Sequence, residues 1–182
     1  KENELFEEHY SKYIGCKYTI GCANGLDALI WIFRAYMEMG VMKPGDEIIT
    51  SELEHHSSLL PWQITAKKTG ATLTYIPLSK EGRITVDGFK EVLSDRTKVV
   101  AITHVSNVMG YLTPIEEITK LAHDKQAIVI LDAAQSVPHM MVDVKTLDVD
   151  YLAFSGHKMF GPSGVGVLYG KEDLLNQLEP FE

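Results

Sequence analysis

The chain alternates between two spacings of apolar residues, and this alternation limits the possible folds more than any other feature. Seven short apolar or β-branched runs have the length of β-strands, and stretches with apolar residues at helical spacing separate them. The predicted strands are residues 18–20, 47–50, 72–76, 99–103, 127–131, 149–154 and 165–169. Strands that are apolar throughout and alternate with helices are typical of a mostly parallel sheet covered on both faces. The sequence therefore predicts a single α/β domain, residues 1–182, with three layers (α/β/α).

Glycine and proline mark the ends of the intervening helices. The predicted helices are an opening helix that ends at Gly15, residues 26–39 before Gly40, residues 59–68 before Gly70, residues 86–93, and a helix from Pro114 to about residue 123. Ligands of open α/β sheets bind beyond the carboxyl ends of the strands. The residues that follow each predicted strand are therefore the ones to examine for function.

Composition excludes several classes of protein. The 182 residues carry a net charge of −8, and no basic stripe is present that could neutralise nucleic-acid phosphates. No apolar run reaches membrane-spanning length, and the start of the chain does not resemble a signal peptide. Cys16 and Cys22 form no disulfide framework, which favours a reducing cytoplasm. We expect a cytoplasmic protein that binds neither nucleic acid nor membrane, and its first and last residues suggest a piece of a longer chain.

A carboxylate and an amine each follow a predicted strand. Asp132 comes directly after the fifth strand, where a buried carboxylate needs a cation or a hydrogen-bond donor; an aspartate that caps the next helix would look the same. Lys158 lies after the sixth strand and before a glycine-rich loop. A lysine amine that is partly desolvated there can act as a nucleophile and form a Schiff base, although most lysines are simply exposed. The neighbouring Ser155 and His157 favour the functional interpretation.

The turn between the first strand and its helix, residues 21–27, is a candidate anion site. It contains glycines and leads into a helix N-terminus, which offers free backbone N–H groups and the positive end of the helix dipole. It matches neither the dinucleotide pattern GxGxxG nor a P-loop. By itself the turn indicates only that an anion can bind.

Histidines follow two further strands. A zinc site built from His55, His104 and Asp132 is conceivable, but no HExxH motif or cysteine cluster supports it, and we predict no metal. For His55, stacking on a planar cofactor and a core or capping role remain open. Asn107 could hydrogen-bond a ring oxygen or stabilise its own turn.

Four polar segments resemble, in length and order, those of the cysteine desulfurase and selenocysteine lyase family. These are pyridoxal-phosphate (PLP) enzymes of the class V aminotransferase group, with fold-type I. The segments are Glu54-His55-His56-Ser57 with Pro61-Trp62-Gln63, Ile102-Thr103-His104-Val105-Ser106-Asn107-Val108-Met109-Gly110, Leu131-Asp132-Ala133-Ala134-Gln135, and Phe154-Ser155-Gly156-His157-Lys158-Met159-Phe160-Gly161-Pro162. The resemblance runs from about Ser51 onward. It implies the large, cofactor-binding domain of such an enzyme, with cysteine or selenocysteine as the substrate in the family.

The resemblance assigns the reactive groups. Lys158 looks like the lysine that holds PLP as a Schiff base, and Asp132 resembles the partner of the pyridine nitrogen, which keeps the ring able to accept electrons. His55 is similar to the residue that stacks on the ring face. Lys158 and His55 are therefore the predicted catalytic residues.

The resemblance also assigns the remaining cofactor contacts. Gln135 corresponds to the residue at the phenolic oxygen of the ring, and Asn107 lies near the same side. Ser155 and His157 resemble phosphate ligands, and the helix start at Gly25 and Leu26 completes the phosphate cup. The desulfurase pattern has a hydroxyl residue where this chain has Leu26, so we expect some loss of phosphate affinity.

The first fifty residues resemble a different group, the PLP-dependent sugar aminotransferases. The matching segments are Phe6-Glu7-Glu8, Tyr13-Ile14-Gly15-Cys16-Lys17-Tyr18, Asn24-Gly25-Leu26-Asp27-Ala28-Leu29 and Pro44-Gly45-Asp46-Glu47. Both families share the fold and place the phosphate at the same helix start. A join near Thr50-Ser51, between residues 1–50 and 51–182, suggests an engineered chimera, with a natural divergent member as the alternative.

Two parts of a desulfurase are expected to be missing. The family's nucleophilic cysteine lies on a mobile loop well beyond the lysine, and a small C-terminal domain supplies the arginine that holds the substrate carboxylate; Cys16 and Cys22 cannot be carried over to that role. Fold-type I relatives are dimers with active sites at the subunit interface, so a homodimer is possible. The sequence thus predicts a PLP-binding domain with little turnover. The alternatives are a competent PLP-dependent aminotransferase acting on a sugar or amino acid, and a non-catalytic α/β scaffold with vestigial site residues.

Overall fold

The structure is a computed structural model that describes residues 2–178. Its elements, in chain order, are α1 (Glu2–Ile14), β1 (Thr19–Cys22), α2 (Gly25–Glu38), β2 (Glu47–Thr50), α3 (His56–Thr69), β3 (Thr72–Tyr75), α4 (Val86–Val92), β4 (Thr97–Thr103), α5 (Ile115–Asp124), β5 (Ile128–Asp132), α6 (Val144–Leu147), β6 (Tyr151–Ser155), a 3₁₀ helix (Gly156–Met159), β7 (Gly166–Gly170) and α7 (Glu172–Leu175). All seven predicted strands are present. The short helices α6 and α7 and the 3₁₀ helix were not predicted.

The seven strands form one sheet in the order β1-β7-β6-β5-β4-β2-β3. The pairs β2–β3, β2–β4, β4–β5 and β5–β6 are parallel, and β7 is antiparallel to both β6 and β1. The antiparallel direction of β7 follows from its connection to β6. Residues 156–165 join the two strands, and this segment is too short for the crossover that a parallel neighbour needs. The prediction of a mostly parallel α/β sheet is confirmed.

Helices cover both faces of the sheet, as a three-layer fold requires. Successive strand residues point to opposite faces, so Val99 packs in the core beneath α2 and α3, whereas Val100 packs in the core beneath α4 and α5. Both side chains are fully buried. This double burial explains why the central strands are apolar at every position.

Strand register brings the polar strand ends together. Asp132, the last residue of the central strand β5, pairs with Thr103 of β4 on one side and with Ala153 of β6 on the other. Ser155 ends β6 two residues further along. The carboxyl ends of β4, β5 and β6 thus form one polar rim.

A buried ion-pair network stabilises the opposite rim. Asp150 accepts hydrogen bonds from the Val129 amide (2.7 Å) and lies 2.9 Å from His123 Nε2 and 3.0 Å from Lys171 Nζ. Asp150 is 5% exposed, so its removal would leave the Val129 amide without its acceptor and Lys171 with Asp148 as its remaining partner. We expect Asp150→Ala to lower the free energy of unfolding by about 2–4 kcal/mol, measured by urea denaturation. The control Asp95→Ala removes an exposed partner of Lys125 and should cost far less; equal losses would contradict the prediction.

Candidate cofactor site

A cavity of about 300 Å³ lies beyond the carboxyl ends of the central strands. It is lined by Asn24, Gly25, Leu26, Leu29, His55, Ser57, Asp132, Ala134, Ser155, His157 and Lys158. Seven of the nine predicted site residues therefore surround one cavity, although they come from four separate segments of the chain. The volume is at the lower end of the range for small-molecule sites.

Asp132 is the buried acid of the cavity. It is 8% exposed, and its Oδ1 accepts a hydrogen bond from the Ala134 amide at 2.9 Å. Burial raises the pKa of Asp132, while the hydrogen bond from the Ala134 amide and the nearby basic groups of Lys158 and His55 act in the opposite direction. A cation in the cavity would therefore stabilise the charged form of Asp132.

The start of α2 contributes backbone groups to the lining of the cavity. The Gly25 amide donates to Ser155 Oγ at 2.8 Å, and Asn24 caps the helix by accepting from the Asp27 amide at 2.9 Å. Within residues 2–178 the amide of Leu26 has no hydrogen-bond partner. Because Ser155 Oγ already accepts from Gly25, its own proton is available to an oxygen in the cavity. A helix N-terminus with one free amide and one oriented hydroxyl is suited to a phosphate.

A glycine is required at position 25 because the start of α2 lies very close to the end of β6. A Cβ at this position would lie 2.9 Å from the Phe154 carbonyl carbon and 3.0 Å from Ser155 Oγ. Any side chain would push α2 away from the end of β6. The glycine therefore keeps the start of α2 in contact with the end of β6.

His55 lies just before α3 and caps its first turn. Its Nδ1 accepts from the Ser57 amide at 3.2 Å and lies 2.7 Å from Ser57 Oγ. These contacts fix the ring from one edge, and the residue is otherwise exposed. The ring is thus held at the mouth of the cavity with its faces available, as stacking on a planar ligand requires.

Asn107 and Gln135 line a different cavity. This neighbouring space of about 490 Å³ also includes Ser106, Leu112 and His139. The structure therefore does not bring these two residues into the cavity that holds Lys158. Their assignment to the phenolic-oxygen side of the cofactor stays a prediction.

The conceivable zinc ligands are not brought together. His104 lines yet another cavity with Met140 and Asp143, and burial lowers its pKa to about 4. His55 and Asp132, in contrast, both line the Lys158 cavity. Across residues 2–178 no three metal-ligating side chains form a cluster.

The comparison with known families decides the classification. The family described as Aminotransferase class-V matches residues 7–182. The chain belongs to the class-V aminotransferase family. That family is PLP-dependent.

Cysteine desulfurases are among the most similar relatives of this class-V chain. A probable cysteine desulfurase of Halalkalibacterium halodurans is 54% identical over 138 residues, which are 76% of this chain and 34% of the relative. A probable cysteine desulfurase of Staphylococcus epidermidis is 44% identical over 181 residues, covering 98% of this chain and 44% of the relative. The chain thus spans less than half the length of these relatives. Because the second match covers 98% of the chain, it includes nearly all of residues 1–50, and the desulfurase likeness is not confined to the part after Ser51.

Solved desulfurase structures share the fold. The crystal structure of a cysteine desulfurase from Escherichia coli superposes with a TM-score of 0.93 at 33% identity, over 99% of this chain and 46% of that one. The apo structure of a cysteine desulfurase from Thermococcus onnurineus gives 0.91 at 39% identity, over 98% of this chain and 45% of that one. The fold of the large domain, predicted from the sequence, is therefore confirmed.

The cavity fits the cofactor of the class-V family in its donor set. A buried carboxylate, a lysine amine and an imidazole line the cavity together with a helix N-terminus and a serine hydroxyl. A protonated pyridine, an aldehyde and a phosphate need these groups.

Within residues 2–178 no helix is long and apolar enough to cross a membrane.

The two cysteines of the class-V chain are poor nucleophiles. Burial raises the pKa of Cys16 and raises that of Cys22 to about 11. Both thiols therefore stay protonated at neutral pH, and a protonated thiol attacks slowly.

Three residues near the site were missed by the sequence analysis. Asn24 caps α2, and the pattern of an asparagine three residues before Asp27 is a recognisable cap signal. Ser57 positions the His55 ring and had a weaker signal, namely its place two residues after that histidine. Glu54 is buried and accepts a hydrogen bond from the Thr103 amide, 49 residues away in the chain, and nothing in the local sequence predicted this burial.

Proposed function

We propose that this chain is the PLP-binding domain of a cysteine desulfurase or selenocysteine lyase, with Lys158 holding the cofactor as a Schiff base. The observation that carries the proposal is that Lys158, Asp132 and His55 line one cavity with the open N-terminus of α2. Cysteine is the substrate that the desulfurase relatives support. PLP, when bound, supplies an electron-accepting ring.

The chain's own residues take distinct roles in this proposal. Asp132 holds the proton of the pyridine nitrogen, because an anion at that position stabilises the protonated ring. The Leu26 amide, the Ser155 hydroxyl and His157 bind the phosphate. His55 covers one face of the ring and keeps water from it.

The roles of Gln135 and Asn107 follow from the family resemblance. We place both on the phenolic-oxygen side of the cofactor, in the space next to the main cavity. We further propose little turnover by this chain, because both of its thiols are half-buried and protonated. A homodimer, a cytoplasmic location and a mosaic origin of residues 1–50 stay predictions.

Titration of the protein with PLP tests the proposal. We expect a saturable band in the visible range at one PLP per chain, because a lysine Schiff base absorbs at longer wavelength than free PLP. A non-catalytic scaffold gives no such band. Sulfide release from cysteine at a normal rate would favour a competent enzyme; a new band without sulfide or alanine would favour the partial site proposed here.

Asp132→Asn should weaken PLP binding more than it weakens folding. The asparagine keeps the oxygen that accepts from Ala134 but loses the charge, so we expect a ten- to hundredfold weaker apparent affinity with little change in stability. The control Asp124→Asn, at the exposed end of α5, should leave both unchanged. Unfolding of the Asp132→Asn protein would show that the residue is structural.

A further inference from the structure

Glu54 is a buried carboxyl group that the proposed cofactor contacts do not use. It lies between Leu53 and His55, and it is 8% exposed. Its Oε1 accepts two hydrogen bonds, from Ser51 Oγ at 2.7 Å and from the Thr103 amide at 2.9 Å. Glu54 therefore ties the segment that carries His55 to the end of β4, next to Asp132 in the sheet.

The second oxygen of Glu54 shows which protonation state fits the site. Oε2 is buried and has no hydrogen-bond partner among the described residues. An ionised carboxylate would leave a charged oxygen there without a donor, which is strongly unfavourable. A protonated Glu54 places its proton on Oε2 and keeps Oε1 as the double acceptor. Burial raises the pKa of Glu54 to about 8, and the charge of Asp132 acts in the same direction; the hydroxyls of Ser51 and Ser58 and the Thr103 amide act against this rise without cancelling it.

We propose that Glu54 is an uncharged positioning residue that holds His55 and the end of β4 in place and leaves Asp132 as the anion of the cavity. Asp132 is the charged group that faces Glu54, and Lys158 and His55 face Asp132 from the cavity. Two ionised carboxylates here would repel each other, and an uncharged Glu54 avoids that repulsion. The role of Glu54 in placing His55 rests on the proposed function, whereas its uncharged state does not.

The pH dependence of unfolding tests the uncharged state without cofactor. In the unfolded chain Glu54 ionises near its usual pKa of about 4.3, whereas in the folded protein it keeps its proton to about pH 8. Between these values the folded state binds one more proton, so the wild type loses stability as pH rises. Glu54→Gln removes that dependence. We expect its stability relative to the wild type to increase from pH 5 to pH 8 with a slope of about one proton.

Urea denaturation at several pH values measures the slope. The control Glu52→Gln changes an exposed glutamate two residues away and should run parallel to the wild type. Parallel curves for Glu54→Gln over this range would show that Glu54 is ionised in the folded protein, and the proposal would be wrong.

PLP titration tests the positioning role. Glu54→Gln should retain the PLP band of the wild type because it retains the acceptor for Ser51 and Thr103. Glu54→Ala should bind PLP about tenfold more weakly, and equal affinity of the two variants would contradict the positioning role. If the wild type itself binds no PLP, the proposed function fails while the slope of Glu54→Gln still decides the protonation state. Because Gln preserves the packing, the slope remains measurable even if the alanine variant does not fold.

Discussion

Lys158→Ala is expected to abolish the covalent PLP adduct completely. Borohydride reduces a lysine Schiff base to a stable secondary amine. Among the described residues that line the cavity, Lys158 is the one lysine that could form this base. Without its amine, PLP keeps only its phosphate and ring contacts, so the visible band is lost as well. Peptide mass spectrometry after reduction should find the modification on Lys158 in the wild type and no site-specific modification in the variant.

A matched lysine separates specific from random labelling. Lys120 is exposed on α5, outside the cavity, and Lys120→Ala should trap PLP as the wild type does. An adduct of the same yield in Lys158→Ala would remove the site assignment. An undiminished adduct in both variants, spread over several lysines, would indicate that the cofactor reacts with surface amines.

The sheet could be predicted from the sequence, because a strand that is buried on both faces has apolar residues at every position. Val99 and Val100 face opposite cores, so both must be apolar, and this doubled burial produces the continuous apolar runs of a parallel sheet. The direction of β7 leaves no trace in the sequence, since a buried strand has the same pattern in either orientation. The four-residue α6 is too short for a periodic signal.

The site residues that lie at the ends of strands could be predicted from the sequence. Asp132 and Ser155 end β5 and β6, so the rule for open sheets locates them at one rim. The burial of Glu54 was not predictable, because it depends on the Thr103 amide, 49 residues away in the chain. The separate cavity of Asn107 and Gln135 likewise depends on how two loops fold over the rim.

Gly166→Ala is expected to destabilise the protein and to damage the phosphate cup, although Gly166 does not line the cavity. Gly166 pairs with Cys22 in β1 and with Ser155 in β6. A Cβ at this position would lie 2.3 Å from the Asn24 carbonyl carbon and 2.5 Å from its Cα. Both are backbone atoms, so the turn before α2 has to move. That movement separates the Gly25 amide from Ser155 Oγ and shifts the start of α2.

The sign of the Gly166→Ala effect makes the test sharp. Glycine in a strand costs conformational entropy, so alanine in open space would stabilise the protein by about 0.5–1 kcal/mol. The backbone clash should reverse this and lower the free energy of unfolding by about 3 kcal/mol, with weaker PLP binding. The control Gly21→Ala, in the same strand pair, meets the Glu7 carboxylate at 3.2 Å; this flexible side chain can move, so the loss should be much smaller. If Gly166→Ala kept wild-type stability and PLP affinity, the close approach of β7 to Asn24 could not be what shapes the phosphate cup.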